Sequence, residues 1–564
     1  MLLLDGVDAV RAPVAAFVDD LGDATERLAV LTCAWQRLGV ARERVIPVSP
    51  LPPDAAASLL DQRLVRLAAP LPTAQAERDA LLARAGGLPL VIELLAARVA
   101  SLGAPRTLES LAREGLGDDA LDRTLDSAWS LLDPATGDAL MALATARGPF
   151  DGATADALMG LAAPADALRR LVDASLVERV DADGAVRFAL LDSVRDHAAR
   201  KARACGRDDA LRDRHAEVFA RGQPAGDDDA AWRARLDARD DLLAAWSWSL
   251  PRDPARAASL AIILDPLLVT RGPVSLHREV LAASLAALPV DDRGSVRTDL
   301  CLALGRVHLI RGRATDAEPL WREALARAEE HDDRARVGRS AAYLAFTARA
   351  RGDLDAVQAF AARAAAVATA LRDGRLLSSA EQAAAHGRFV AGDLAGAVQG
   401  FRRAVAAARV AQAPRLAGLA LTNLAWLHVE KGDLTGAASL NDEARDALRE
   451  SGDAFHLIRV DITAGMLALH AGRLDEADAL LRDAHERATD FDDLDGAMEA
   501  QEALARLAQR RGDLALAARR VEALEVHARF VDDVSWPPRV ARLRALLDAR
   551  RAPAPTLRVS RDGR

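Results

Sequence analysis

Residues 392–397 read GDLAGA, and near-copies of this string recur through the second half of the chain. GRATDA begins at 312, GDLDAV at 352, GDLTGA at 432, GRLDEA at 472 and GDLALA at 512. With Gly272, the leading glycines form a series whose spacing never changes. Small residues keep the same phase. Ala317, Ala397, Ala437, Ala477 and Ala517 follow a glycine by five positions, and Ala324, Ala364, Ala404, Ala444 and Ala484 by twelve. Gly305, Ala345, Ala385, Ala425, Gly465 and Ala505 precede one by seven. A constant period in this range is the mark of a solenoid.

Each position has a physical reason. A glycine ends a helix in the left-handed conformation, and the Asp after it in GDL caps the next helix. Pro273, behind the first glycine, suits a first helical turn. Small residues at fixed offsets let two antiparallel helices approach closely. The unit is a helix hairpin that cannot bury its face alone, so stacked units share one continuous core. This pattern resembles the tetratricopeptide repeat (TPR), with His308 and His428 at the usual aromatic site of the first helix and Trp321 and Phe401 in the second. The unit exceeds the usual length of about 34 residues, which predicts about one extra helical turn per repeat. The resemblance implies a concave groove lined by Arg306, Phe346, Arg349, His386, Phe389, Trp426, Met466 and Arg506. Aromatic and Arg side chains favour interface hot spots, although Phe389 and Trp426 are read equally well as packing between helices.

The N-terminal part, up to the first repeat, is punctuated differently. MLLLD reads as a buried strand, AVRAPVAAFVDDL as a helix, and RLAVLT (27–32) as a second buried strand. RVIPVSPLPPDAAASLLDQRL follows as a short strand, a Pro-rich turn and a helix; AGGLPLVIELLAARVASLG carries Pro89 near the start of an apolar helix. This order resembles the STAND signalling ATPases, especially bacterial regulators with TPR tails. The resemblance implies that Asp5 is the magnesium-binding aspartate at a strand end, with Asp8 beside it. Thr32 would close the second strand ahead of a sensor segment, and Gly87-Leu88-Pro89-Leu90 would be the GLPL motif of a helical lid. It extends to a winged-helix domain in TLDSAWSLLDPATGDALMAL (124–143) and ALRRLVDASLVERVDADGAVRFALLDSVRDHA (167–198), with Asp183-Gly184 as a hairpin turn, and to ARLDARDDLLAAWSWSL (234–250) before the repeats.

The departures from that pattern bear on chemistry. A phosphate loop needs GxxxxGK[ST], whose lysine reaches the phosphates. Only Lys201 and Lys431 are present, in DHAARKARACG and LHVEKGDL, and neither is such a loop. Cys33-Ala34-Trp35 stands where the family's sensor arginine belongs. Asp5 then has no phosphate-bound magnesium to hold, and its plainer reading is a strand-end cap. ATP, ADP and magnesium are expected as cofactors only if a phosphate loop lies upstream of Met1. No metal site is expected either: the 11 histidines are scattered, and no HExxH or Cys/His cluster occurs. Asp19-Asp20 and Asp227-Asp228-Asp229 read as solvated loop charges.

Bulk properties narrow the class. The formal charge is −9, from 74 basic and 83 acidic residues, against broad binding to nucleic acid or anionic membranes. The candidate recognition helix PADALRRLVDA mixes Arg169 and Arg170 with Asp166 and Asp173, so direct DNA binding is not expected. Cys33, Cys205 and Cys301 form no disulfide framework; with no basic segment at the N-terminus, a reducing cytoplasm is expected. LAIILDPLLV (260–269) is short and broken by Asp265, so no membrane span is expected. APAPTLRVSRDGR is a linker and a turn without a return strand, which suggests a chain incomplete at both ends.

The expected fold is mainly α. A truncated α/β remnant (1–52) precedes a helical lid (53–120), a winged-helix domain (121–205), a helical connector (206–255), a TPR-like superhelix of about seven repeats (256–550) and a tail (551–564). The expected function is regulatory binding of a protein or peptide by a non-hydrolysing STAND derivative, with self-association a further outcome the repeats allow. The alternative is an ATP-switched transcriptional regulator whose phosphate loop lies outside this chain.

Overall fold

The computed structural model describes residues 2–551 apart from 6, 25–27, 35–36, 41–42, 47, 73, 114–119, 183–184, 223–228 and 290–293. The fold is mainly α. Its clearest feature is an array of helix hairpins that begins with Pro254–Arg271 and Val274–Ala287 and ends with Leu494–Arg511 and Leu514–His527, followed by a last helix, Trp536–Arg551.

The expected turn chemistry is present. Gly312, Gly352, Gly392, Gly432, Gly472 and Gly512 have φ between +70° and +84°. Asp393 and Asp433 cap the next helix by accepting from the backbone N–H of Gly396 (2.8 Å) and Gly436 (3.0 Å). The phased alanines are fully buried. At Gly305 there is no room for a Cβ, because the Trp321 indole fills that space and donates to the Leu302 carbonyl (3.1 Å).

The structure also shows a shorter rhythm. Helices start at Arg334, Leu354, Gly374, Leu394, Pro414, Leu434, Ala454, Leu474, Leu494 and Leu514, a constant step half as long as that of the glycines. The turn between hairpins therefore copies the turn inside each hairpin. Its left-handed residue is Asp332 (φ +50°), Arg372 (+54°), Gln412 (+49°), Gly452 (+65°) or Asp492 (+58°). Only one of these is glycine, so a search for glycines finds half of the turns.

By compactness the chain divides into two units, Met1–Pro134 with Arg169–Leu176, and Ala135–Leu168 with Val177–Arg564. In the first unit, strands β1 (Leu2–Leu4) and β2 (Val30–Thr32) pair in parallel, with helix Arg11–Ala24 between them. The short strand expected around Val45–Val48 is absent from the described residues, and Ile46 and Val48 are exposed. Pro47 offers no backbone donor for a ladder. Helices Pro53–Arg66, Gln75–Ala85 and Pro89–Leu102 form a separate core around Leu60, Leu64, Leu81 and Ile92.

In the second unit, Pro134–Leu143 and Gly152–Met159 precede an antiparallel hairpin, β3 (Glu178–Ala182) and β4 (Ala185–Ala189). Helix Pro164–Asp173 lies between them in sequence and is divided between the units. The turn expected at Asp183-Gly184, most of the tail and Trp35 lie outside the described residues. One expectation about membranes needs correction. Leu354–Leu371 is long and apolar enough to cross a membrane, because alanines fill even its outward face. It is nevertheless the second helix of a repeat and buries Val357, Ala361, Ala364 and Ala368.

Candidate functional site: the inner face of the repeat array

In each repeat the first helix packs on its own partner and also on the first helices of neighbouring repeats, such as Arg334–Ala350 on Gly374–Val390 and Ala454–His470 on Leu494–Arg511. The first helices thus form an inner layer. Phe491 closes on Gly272 and Val531 on Gly312, two contacts that span the same number of repeats. Helix Pro254–Arg271 meets Ala454–His470 over a similar separation, and Trp232 lies against Gly452. One superhelical turn therefore closes on itself.

Residues 531–534 fasten the closure. The Asp532 N–H donates to the Gly312 carbonyl (2.7 Å) and the Val534 N–H to the Ala350 carbonyl (2.9 Å), satisfying acceptors at the ends of two first helices. The Thr315 backbone N–H (3.2 Å) and hydroxyl both donate to the Asp532 carboxylate. Arg349 pairs with Asp533 (2.9 Å) and Arg311 with Asp492 (3.1 Å).

The inner layer carries charge where a simple core would not. Arg459 lies 3.0 Å from Glu499 and 3.3 Å from both Asp493 and Asp495. Asp495 also accepts from the Trp536 indole N–H (2.8 Å), while Glu502 takes Arg506 (2.7 Å) and Arg539 (2.6 Å). Protein surrounds these groups, yet the side chains of Arg459, Glu499 and Asp495 keep 25 %, 30 % and 35 % of their surface exposed. Burial pushes the Glu499 carboxyl up to about 7, against the pull of Arg459. Asp493 is also raised, whereas Asp495 is lowered because Arg459 and the Trp536 hydrogen bond outweigh its burial. A second charged cluster was hidden in the apolar run 260–269. Asp265 accepts from Arg306 at 2.6 and 2.7 Å and contacts His277 Nε2 at 2.8 Å. Arg306 and His277 hold its carboxyl far below the usual range despite burial.

The groove residues expected from sequence fare unevenly. Arg306 and Arg349 are engaged by Asp265 and Asp533, and Arg506 by Glu502. His386 sits between the rings of Phe346 (6.0 Å) and Phe401 (4.9 Å); burial, with Arg349 nearby, lowers its pKa to about 3, so it stays neutral. Phe389 and Trp426 pack edge to face at 4.8 Å, as interhelix packing requires. Met466 is buried in the core beside Ile462 and Leu469, so it offers no inward surface. Sequence reasoning missed Arg459, Asp495 and Glu499. Their one visible signal was a pair of carboxylates one helical turn apart at 495 and 499, with Glu502 next on the same helical face.

The nucleotide-site residues fall in two places. Leu4 pairs with Thr32, so Asp5 and Thr32 stand at neighbouring strand ends, and Asp5 is exposed. Asp8 belongs to a short 3₁₀ turn, Val7–Val10. Gly87 (φ +72°) accepts from the Leu51 N–H (2.8 Å), and Leu88 and Pro89 open helix Pro89–Leu102. Among the described residues no group of His, Cys, Asp and Glu could hold a metal ion.

The array is a TPR-like α-solenoid, and one solved structure agrees on the fold. A solved STAND protein with a tetratricopeptide repeat sensor, from Pyrococcus horikoshii, superposes with a TM-score of 0.50 at 14 % identity, over 98 % of this chain and 78 % of its own. A Rap protein complexed with competence and sporulation factor aligns over 62 % of this chain and 96 % of its own, with a TM-score of 0.40 and 14 % identity. In sequence, the chain is 26 % identical over 381 residues to proteins of Mycobacterium bovis and Mycobacterium tuberculosis, each named "Putative HTH-type transcriptional regulator". The match covers 60 % of this chain but only 42 % of those relatives. No protein-family model matches the chain.

Proposed function

We propose that this chain is a regulatory protein of the cytoplasm that binds a segment of a protein partner along the inner face of its repeats. The observation that carries this reading is the cluster of Arg459, Asp495 and Glu499, charged groups enclosed by the superhelix yet open to water. Neutralising buried charge entirely within the fold would leave no such surface, and a partner with its own charges completes the pairing. Residues 1–120 act in this reading as a STAND-type module, with residues 121–205 as its winged helix, and without ATP hydrolysis, because the chain has no lysine in a phosphate loop. Arg169 and Arg170 already face Asp173 (3.4 Å) and Asp133 (3.5 Å), which favours a protein rather than DNA as partner.

A photo-crosslinking side chain at Glu499, with Val410 on the outer surface as control, tests the reading in the full-length chain. The captured segment, made as a synthetic peptide, should bind by calorimetry and lose at least tenfold in affinity with Arg459→Ala. Equal capture at Val410, or unchanged affinity in the variant, would overturn it. The mycobacterial match supports a second reading, a nucleotide-switched transcriptional regulator whose remaining parts lie outside this sequence. Magnesium-dependent ATP turnover lost with Asp5→Asn would favour that one.

A further inference from the structure

Away from the repeats, helices Pro134–Leu143, Asp192–Ala204, Asp208–Arg221 and Arg239–Ser249 enclose a cavity of about 320 Å³. That is room for roughly ten waters, at the lower end of ligand-site volumes. Its floor is apolar, from Met141, Ala144 and Leu211, and its wall is basic. Arg147, Arg195, Arg203 and Arg212 line it against two carboxylates, Asp196 and Asp208. Asp208 is taken by Arg212 (3.0 Å), and Arg195 is held by Asp192 and the Leu190 carbonyl. Arg147 and Arg203 make no ion pair among the described residues. Arg147 and Arg203 thus line the cavity without an ion partner, beside the Asp196 carboxylate, and a guanidinium is the side chain suited to an oxyanion.

The cavity is also built around one ordered polar group. His215, with only 5 % of its side chain exposed, lines it and places Nε2 2.8 Å from Asp241 Oδ1. Asp241 is itself buried and accepts from the backbone N–H groups of Arg147 (2.7 Å) and Gly148 (3.3 Å). One carboxylate thus fixes the histidine ring and the turn that carries Arg147. With the Nε2 proton donated to Asp241, His215 Nδ1 is an acceptor for which the described residues supply no donor. Aromatic stacking is not on offer. Arg252 lies over the Trp248 ring at 3.5 Å and Arg212 at 5.1 Å, so cations already occupy that ring.

We propose that this cavity binds a small, non-aromatic oxyanion that also carries a hydroxyl, its charge between Arg147 and Arg203 and its O–H donating to His215 Nδ1. Phosphate monoesters and hydroxycarboxylates share this chemistry. The full-length protein should be titrated calorimetrically with glycerol 3-phosphate, malate and, as the uncharged control, glycerol. The site predicts binding of at least one of the two anions, weakening as salt rises, and none of glycerol. The phosphate and carboxylate arms identify which source is preferred. Arg147→Gln with Arg203→Gln, both exposed and without ion partners among the described residues, should leave the fold intact by circular dichroism and cost at least tenfold in affinity. Arg510→Gln, an exposed arginine on the repeats, should change nothing. Absence of binding by either anion at millimolar concentration, or equal affinity in the double variant and wild type, would overturn the proposal.

Discussion

The strands at the start of the chain and the helices of the repeats are both built from short aliphatic residues, yet they use them in opposite ways. In the repeats, alanine after alanine is fully buried, because each helix packs on the helix before it and on the helix after it. In the β1–β2 pair, Leu3 keeps 59 % of its surface exposed, and nearby Val48 keeps 96 %. A parallel sheet is ordinarily covered on both faces, and two strands are too few to provide that cover themselves. Apolar composition alone does not bury a residue; the number of neighbours within reach along the chain decides it.

The largest effect that separates the regions should come from Trp321. It is fully buried against Gly305 and stacked on Tyr343 at 5.0 Å, so Trp321→Ala should cost about 3–5 kcal/mol in urea unfolding. Removing one repeat cap, Asp393→Ala, should cost about 1 kcal/mol. Leu31→Ala in β2 should stay within about 0.5 kcal/mol; a loss as large as that at Trp321 would break the comparison.

A pH series sharpens it further. A carboxyl raised on folding, as at Glu499, contributes most below its unfolded value of 4.5 and loses that contribution as pH rises to about 7. A histidine lowered to about 3, as at His386, contributes fully above 6.5 and loses it as pH falls. The two slopes oppose each other between pH 4.5 and 6.5. Thermal melts of Glu499→Gln should therefore lose less than wild type on raising pH, and those of His386→Leu should lose less on lowering it. Parallel curves for both variants and wild type would contradict the assignment of these groups.

Much of the repeat architecture could be read in the sequence because its rules act over a few residues. A glycine with positive φ, an Asp cap and a phased alanine each leave a local mark. The turns between hairpins left a fainter one, since Arg372 and Gln412 take up the left-handed conformation that glycine holds elsewhere. The charged inner face was not legible, because Arg459 meets Glu499 only after two helices have stacked, and Arg349 meets Asp533 only after a full superhelical turn. Arg306 and His386 were placed at inward positions by pattern, but the pattern could not show that the protein itself partners them. The Asp241–His215 pair joins side chains on two different helices, and neither sits in a motif that would have drawn attention to it.

The claim that the repeats form one closed, self-supporting unit while the strand pair does not is tested most directly by native-state hydrogen exchange on the full-length chain. The Asp532 and Val534 amides, bonded to Gly312 and Ala350, should exchange as slowly as the repeat helices, and the β1 and β2 amides orders of magnitude faster. Fast exchange at 532 and 534 with slow exchange at 2–4 and 30–32 would contradict the account.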